Sequence, residues 1–180
     1  MRRNAGICRH VTAKVRIHLM AESISFSRDA PLEERYAEIT PQIEALIADE
    51  SDVTANLANV AAVLKEAFDF LWVGFYLAKD GELVLGPFQG PVACTRIRFD
   101  RGVCGHSFSN QEILIVPNVN EFPGHIACSS AALSEIVIPI FDRSRKPVGV
   151  LDVDSDRLNA FSAADATGLA RIVKLIEEKL

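Results

Sequence analysis

Residues 71–85 read Leu-Trp-Val-Gly-Phe-Tyr-Leu-Ala-Lys-Asp-Gly-Glu-Leu-Val-Leu, and they decide the fold class. Leu71 to Leu77 is rich in aromatic and β-branched residues, which suits a strand. Lys79-Asp80-Gly81 supplies a turn, and Glu82 to Leu85 returns as a second strand, so the stretch is a hairpin. Trp72 and Tyr76 lie four residues apart and therefore share a face of the first strand, either as core packing or as an aromatic wall for a small apolar group.

Towards the C-terminus the strand pattern continues. Thr95 to Phe99 alternates Ile97 and Phe99 against Arg96 and Arg98, a half-exposed strand. Ile113 to Val116, Ile136 to Phe141 and Val148 to Val153 are three more, the last two joined by an exposed loop from Asp142 to Pro147. Asp154, Ser155 and Asp156 lead to a final helix, Ala163 to Leu180, with Leu169, Ile172, Val173 and Ile176 on one side. Towards the N-terminus a helix starts near Pro31, and its apolar face is Leu32, Tyr36, Ile39, Ile43, Leu46 and Ile47. Pro41 should interrupt or kink it. A second helix follows Ser51 and Asp52, with Leu57, Val60, Ala61, Val63, Leu64 and Phe68 as its buried stripe. Short connections between strands favour antiparallel pairing. The expected fold is therefore α+β: about six antiparallel strands, amphipathic helices on one face, and the long region 86–134 over the other face or one end.

The 180 residues and 49% hydrophobic content fit one globular domain. No apolar run approaches the ~18 residues of a membrane span. The net charge of −5 hides an asymmetry, because residues 1–19 carry Arg2, Arg3, Arg9, Lys14 and Arg16 and no Asp or Glu. Setting those five positive charges aside leaves −10 on the remainder, which argues against nucleic acid as a partner. Residues 1–30 read as an N-terminal extension ahead of a domain over 31–180. Its basic head is open to three readings: a disordered tail, a mitochondrial presequence, or an extension before a start at Met20. The expected location is the cytoplasm, or the mitochondrion under the second reading.

Region 86–134 holds Cys94, Cys104 and Cys128, together with His106 and His125. Each cysteine lies beside turn residues, which suggests accessible thiols rather than core packing. A redox set fits this composition, with one nucleophile and one or two resolving thiols. Incidental small apolar residues are one alternative. Zinc held by the three cysteines and a histidine is another, although the cysteine spacings of ten and twenty-four lack the close pair usual in structural zinc sites. Glu135 opens an apolar strand. Asp152 and Asp154 alternate with Leu151 and Val153, so both carboxylates project from one face. Such like charges either meet cations or keep a proton at neutral pH, unless Asp154 begins a turn and Asp152 faces water. A protonated carboxyl can donate to a polarised oxygen, and an ionised pair can bind an ammonium group.

Taken together, Gly86-Pro87-Phe88-Gln89-Gly90 with Cys94, Gly102-Val103-Cys104-Gly105, Phe122 to Cys128, Ser134-Glu135-Ile136-Val137 and Gly149 to Ser155 resemble the free methionine-R-sulfoxide reductases, which are single GAF-type domains. The resemblance covers roughly residues 31–178. It implies a GAF-like fold and reduction of free L-methionine R-sulfoxide by thiol chemistry. In that chemistry a thiolate takes the oxygen, a second cysteine forms a disulfide, and thioredoxin reduces it. Position by position, it implies Cys128 as nucleophile and Cys94 as resolving thiol, with Cys104 the rival for the nucleophile. It implies Glu135 and Asp154 on the sulfoxide oxygen, Asp152 with them on the ammonium end, and Trp72 and Tyr76 around the S-methyl group. No metal or organic cofactor follows, and a homodimer is compatible with it. Three residues depart from the family pattern: Ser129, where an acidic residue is common, and His106 and Phe108, where smaller ones are usual. They are expected to retune the pocket. The competing class is a GAF small-molecule sensor, disfavoured by the lack of a Lys/Arg cluster in the loop region and by the expectation that no output domain follows the final helix.

Overall fold

The computed structural model describes residues 23–126 and 129–180. Two helices come first, α1 (Leu32–Ile47) and α2 (Val53–Phe68). The strands β1 (Trp72–Lys79), β2 (Glu82–Gln89) and β3 (Arg96–Arg98) follow, then α3 (Gly102–Asn110), β4 (Leu114–Val116), a single 3₁₀ turn at Val119–Glu121, β5 (Ser134–Phe141), β6 (Pro147–Ser155) and α4 (Ala163–Glu177). The strands form one six-stranded sheet in the order β3-β2-β1-β6-β5-β4. Every pairing is antiparallel, so the α+β architecture read from the sequence is the one observed.

The hairpin at residues 71–85 closes through Asp80 and Gly81, both at positive φ, with Lys79 paired to Glu82. Such a two-residue turn matches the right-handed twist of the strands it joins. The strand alternation then divides the residues between two faces. Val73 and Phe75 of β1, Ile136, Ile138 and Ile140 of β5, and Leu151 and Val153 of β6 point to one side. There they meet Ile39 and Ile43 of α1, Leu57 and Leu64 of α2, and Leu169 and Ile172 of α4. Burying each such aliphatic side chain stabilises the fold by about 1.5–3 kcal/mol. The Tyr36 hydroxyl donates to Asp165 Oδ1 at 3.1 Å and ties α1 to α4. Residues 23–30 also join this layer. Ile24 and Phe26 pack on the core, and the Ser27 hydroxyl donates to Glu38.

Three details differ from the sequence reading. Helix α1 runs through Pro41 without interruption. The ring lies on the exposed side, and the Thr40 hydroxyl and Gln42 amide donate to the carbonyls of Tyr36 and Glu38 around the missing N–H. Strand β2 continues to Gln89, through the Gly86-Pro87 pair that reads as a turn. The register shifts between Gly74 and Tyr76, opposite Pro87, and this irregularity leaves room for a residue that cannot donate to the ladder. Finally, region 86–134 is not merely loop. It contains α3, which packs against β5 and β6 on the face opposite α1, α2 and α4. Its two glycines depress helix propensity, so it is held by burial of Val103, Cys104, Ser107 and Phe108.

Candidate active site

The face covered by α3 carries a smaller apolar cluster, including Trp72, Tyr76, Ile97, Val103, Val137 and Val150. The polar residues lie at its edge, and sheet register brings them together. Asp154 of β6 stands between Glu135 of β5 and Trp72 of β1. Two residues along β6, Asp152 stands between Val137 and Gly74. Gly74 is required there, because a Cβ at that position would fall 2.3 Å from Phe88 Cβ and 2.6 Å from the Trp72 ring. The missing side chain leaves space for Trp72 to lie beside the carboxylates.

Helix α3 lowers Cys104 onto this row. Its Sγ donates to Glu135 Oε1 at 3.8 Å. Ligand atoms of Cys104, Glu135 and Asp152 all lie within 4.8 Å of one another, and all three residues are buried. Cys104, Glu135, Asp152 and Asp154 line a cleft completed by Ile97, Gly102, Val103, His125, Ile126, Ser129 and Ala132.

The electrostatics follow from crowding acids in a desolvated place. Burial pushes Asp152 up to about 6, while hydrogen bonds from Cys104, Glu135 and the Val153 backbone restrain the rise. Glu135 is driven well above the carboxylate range by burial first and by Asp152 and Asp154 next. Burial and then Asp152 do the same to Asp154. Asp152 therefore ionises first, and its charge helps hold the protons on its two neighbours. Asp152 Oδ1 is buried without a hydrogen-bond partner. Cys104 is raised well above the thiol range by burial and then by Asp152 and Glu135, so it sits as a thiol and a donor. Burial also lowers His125 from its ordinary value.

The sequence-derived candidates divide as follows. Glu135, Asp152, Asp154 and Cys104 converge. Cys104, expected on an accessible loop, is instead on α3 and 3% exposed, because the helix turns it towards the sheet. Cys94 is half-buried and disulfide-bonded, whereas Cys104 is a free thiol. A zinc site drawing on both sulfurs does not fit that state. Cys128 lies outside the described residues. Trp72 and Tyr76 share a face as expected, with ring centroids 6.0 Å apart. They stand on the β1 side of the carboxylates rather than among the residues lining the cleft.

Of the three departures, only Ser129 lines the cleft. Phe108 stacks on Phe99 at 4.4 Å, and His106 meets Phe122 edge-on at 5.3 Å. Sequence reasoning missed Ile97, Val103 and Ala132 as lining residues. Ile97 had a usable signal in its alternation with two arginines, and Ala132 had none.

The GAF domain profile matches residues 48–178. GAF domain-containing protein A of Dictyostelium discoideum is 54% identical over 88% of this chain and 99% of its own length. Free methionine-R-sulfoxide reductase of Escherichia coli is 43% identical over 82% of this chain and 89% of its own length. The crystal structure of free methionine-R-sulfoxide reductase from Neisseria meningitidis, solved with its substrate, superposes with a TM-score of 0.84 at 50% identity, covering 87% of this chain and 94% of that one. The chain belongs to the free methionine-R-sulfoxide reductase family of GAF domains. Members of this family are oxidoreductases, and the acidic cleft between α3 and the sheet is the place in this member with the groups for such chemistry.

Proposed function

We propose that this chain reduces free methionine R-sulfoxide to methionine, using its own thiols as the immediate electron source. The observation that carries the reading is the buried cluster of Cys104, Glu135 and Asp152, with the half-buried Asp154 lining the same cleft, in a chain of this family. Thiol attack on a sulfoxide must expel oxygen, a poor leaving group unless it is protonated. Glu135 and Asp154 hold protons that ordinary carboxyls lose by neutral pH, so they suit the role of acid towards that oxygen. Asp152 is the readiest of the three to ionise and has an unpartnered oxygen, so it suits the substrate ammonium. Trp72 and Tyr76 close the β1 side, against the S-methyl group. Peptide-bound sulfoxide lacks the free ammonium that Asp152 would hold, and an enclosed cleft disfavours it.

In the first step the cysteine sulfur attacks the sulfoxide sulfur while an acid protonates the oxygen. The S–O bond to methionine and the transient S–S bond break as the oxygen passes to the cysteine sulfur as hydroxyl. Methionine leaves, and the cysteine becomes a sulfenic acid. A second cysteine thiol then attacks, forming a disulfide and releasing water. A dithiol protein such as thioredoxin exchanges with that disulfide, returning two thiols and becoming oxidised itself. Cys128 is the proposed nucleophile and Cys94 the resolving thiol. Support comes from the other two cysteines: Cys94 already stands in a disulfide, and Cys104 is buried and held protonated, a poor state for a nucleophile.

Single-turnover assays without reductant test the assignment. Cys128→Ser should release no methionine, and Cys94→Ser should release about one per chain and then stall. A full burst from Cys128→Ser with none from Cys104→Ser would reverse the roles. Chiral chromatography of residual substrate should show the R epimer consumed and the S epimer left. Equal consumption of both would overturn the proposed substrate.

A further inference from the structure

Trp72 and Tyr76 have polar ends that the S-methyl role leaves unused, and both ends reach the same short segment. The Trp72 Nε1–H donates to the Pro91 carbonyl at 3.1 Å, and the Tyr76 hydroxyl donates to the Cys94 carbonyl at 2.9 Å. Two side chains from one face of β1 therefore grip the two ends of a four-residue stretch, Pro91-Val92-Ala93-Cys94. This stretch has no strand or helix of its own. Val92, between the grips, is 87% exposed, while Ala93 and the disulfide-bonded Cys94 are half-buried against the cluster on the α3 face. The grips themselves are firm. Trp72 and Tyr76 are 3% and 1% exposed, and Trp72 stacks on Phe88 at 5.3 Å as well as on Tyr76. Burial and the nearby Asp152 keep the Tyr76 phenol protonated, and hence a donor.

The chain is also shaped to receive the grip. Gly90 has a φ of +139°, and a Cβ there would fall 2.7 Å from Trp72 Cδ1 and 2.9 Å from the Leu71 carbonyl oxygen. Only glycine lets the segment descend onto the indole. At the far end the Leu85 N–H donates to the Thr95 carbonyl at 3.0 Å and returns the chain to β2.

We infer that Trp72 and Tyr76 are positioning residues for the resolving step: their polar ends hold the Pro91–Cys94 segment so that the Cys94 sulfur meets the sulfenic acid. This rests on Cys94 being the resolving thiol. In that step the Cys94 sulfur bonds to the sulfenic sulfur, the S–O bond breaks, and the thiol proton leaves with the hydroxide as water. No external electrons are needed. The rate of such an intramolecular attack depends on how often the two sulfurs meet in line, and a segment tethered at both ends meets its target far more often than a loose one. Trp72 also stands opposite Asp154 in register, so the same side chain borders the acid cluster and holds the loop.

The test is a quenched-flow single turnover of the full chain with free methionine R-sulfoxide and no reductant. It follows methionine release, and separately follows sulfenic acid by dimedone trapping and thiol loss by alkylation. Tyr76→Phe keeps the ring and removes only the donor. Its ratio of disulfide formation to methionine release should fall about tenfold, roughly what one lost hydrogen bond is worth, with sulfenic acid accumulating. Gly90→Ala leaves both donors in the sequence but forces the segment and the Trp72 indole apart, and should lower the same ratio. If both variants keep the wild-type ratio, or slow both phases equally, the positioning role is overturned. Cys94→Ser separates the two ideas. If it accumulates sulfenic acid while Tyr76→Phe and Gly90→Ala match the wild type, positioning alone fails. If it forms disulfide at the wild-type rate, the assignment of Cys94 falls and this inference with it.

Discussion

The two faces of the sheet are built by the same three central strands, yet they do opposite things. On β6, Leu151 and Val153 point into the layer of α1, α2 and α4, while Asp152 and Asp154 point towards α3. On β5, Ile136 and Ile138 take the first side, and Glu135 and Val137 the second. One face is apolar along its central rows, with Ser134 and Ser155 at its end, and supplies most of the stability. The other gives up some of that burial to collect acids whose protons are misplaced relative to water. Because the side-chain period is two, the core residues and the reactive residues alternate on one backbone, and the core fixes where the acids stand. The larger apolar face thus offsets the cost of the desolvated acids, one way a fold can sustain a strained site.

The largest effect expected from breaking this division is on the apolar face. Leu151→Ala removes a fully buried side chain next to Asp152 in sequence but on the opposite side of the sheet. It should cost about 2–5 kcal/mol in chemical denaturation. Below its lowered Tm the folded fraction should keep a kcat within a few-fold of wild type. A loss of kcat by orders of magnitude in fully folded protein would show that the two faces are not separable.

The converse substitution comes next. Glu135→Gln and Asp154→Asn should each lower turnover by about 10²-fold or more, the scale of a positioned general acid. Their Tm should hold, because the carboxyl each replaces is already kept neutral in the folded protein by burial and by its acidic neighbours. Near-wild-type turnover would mean that the carboxyls are structural.

That contrast also explains which parts were legible in the sequence. The apolar face announces itself through period-two alternation and the three-to-four spacing of Tyr36, Ile39 and Ile43, so the strands and the covering helices could be read. The acids were legible too, since Asp152 and Asp154 flank Val153 on a strand. What failed lay where tertiary packing overrides local preference. Helix α3 has two glycines, a cysteine and two serines, and its inward spacing at Val103, Cys104, Ser107 and Phe108 does not look apolar enough to register. Missing the helix turned a buried thiol into an expected loop thiol. The ends of Trp72 and Tyr76 were equally hidden, because a donor's partner across eighteen or nineteen residues has no local signature.

A smaller effect concerns pH. The Asp152 carboxyl titrates near 6 in the folded protein, against an ordinary 3.8. Between those values the folded state binds more protons than the unfolded one, so this group's contribution to stability falls as pH rises through the window. The slope is at most about 1.4 kcal/mol per pH unit for one proton. Asp152→Asn should therefore gain on wild type in denaturation midpoint as pH goes from about 4 to above 6. A difference between the two proteins that stays flat with pH would mean that Asp152 is not desolvated as the geometry requires.

The smallest effect belongs to the helix side, far from the cleft. Asp52 Oδ1 accepts from the Ala55 N–H at 2.9 Å and caps α2, satisfying one of the donors that a helix start leaves free. Asp52→Ala should cost about 1 kcal/mol, and Asp52→Asn less, since asparagine caps as well and loses only the favourable charge at the helix start. Neither should change the ratio of disulfide formation to methionine release, because α2 touches the sheet on the apolar face only through side chains such as Leu57 and Leu64. The measurement pairs a denaturation curve with the quenched-flow ratio for each variant. A shift in that ratio from a cap alone would mean that motion of α2 reaches the cleft through the sheet, and the two faces would then have to be treated as one coupled unit.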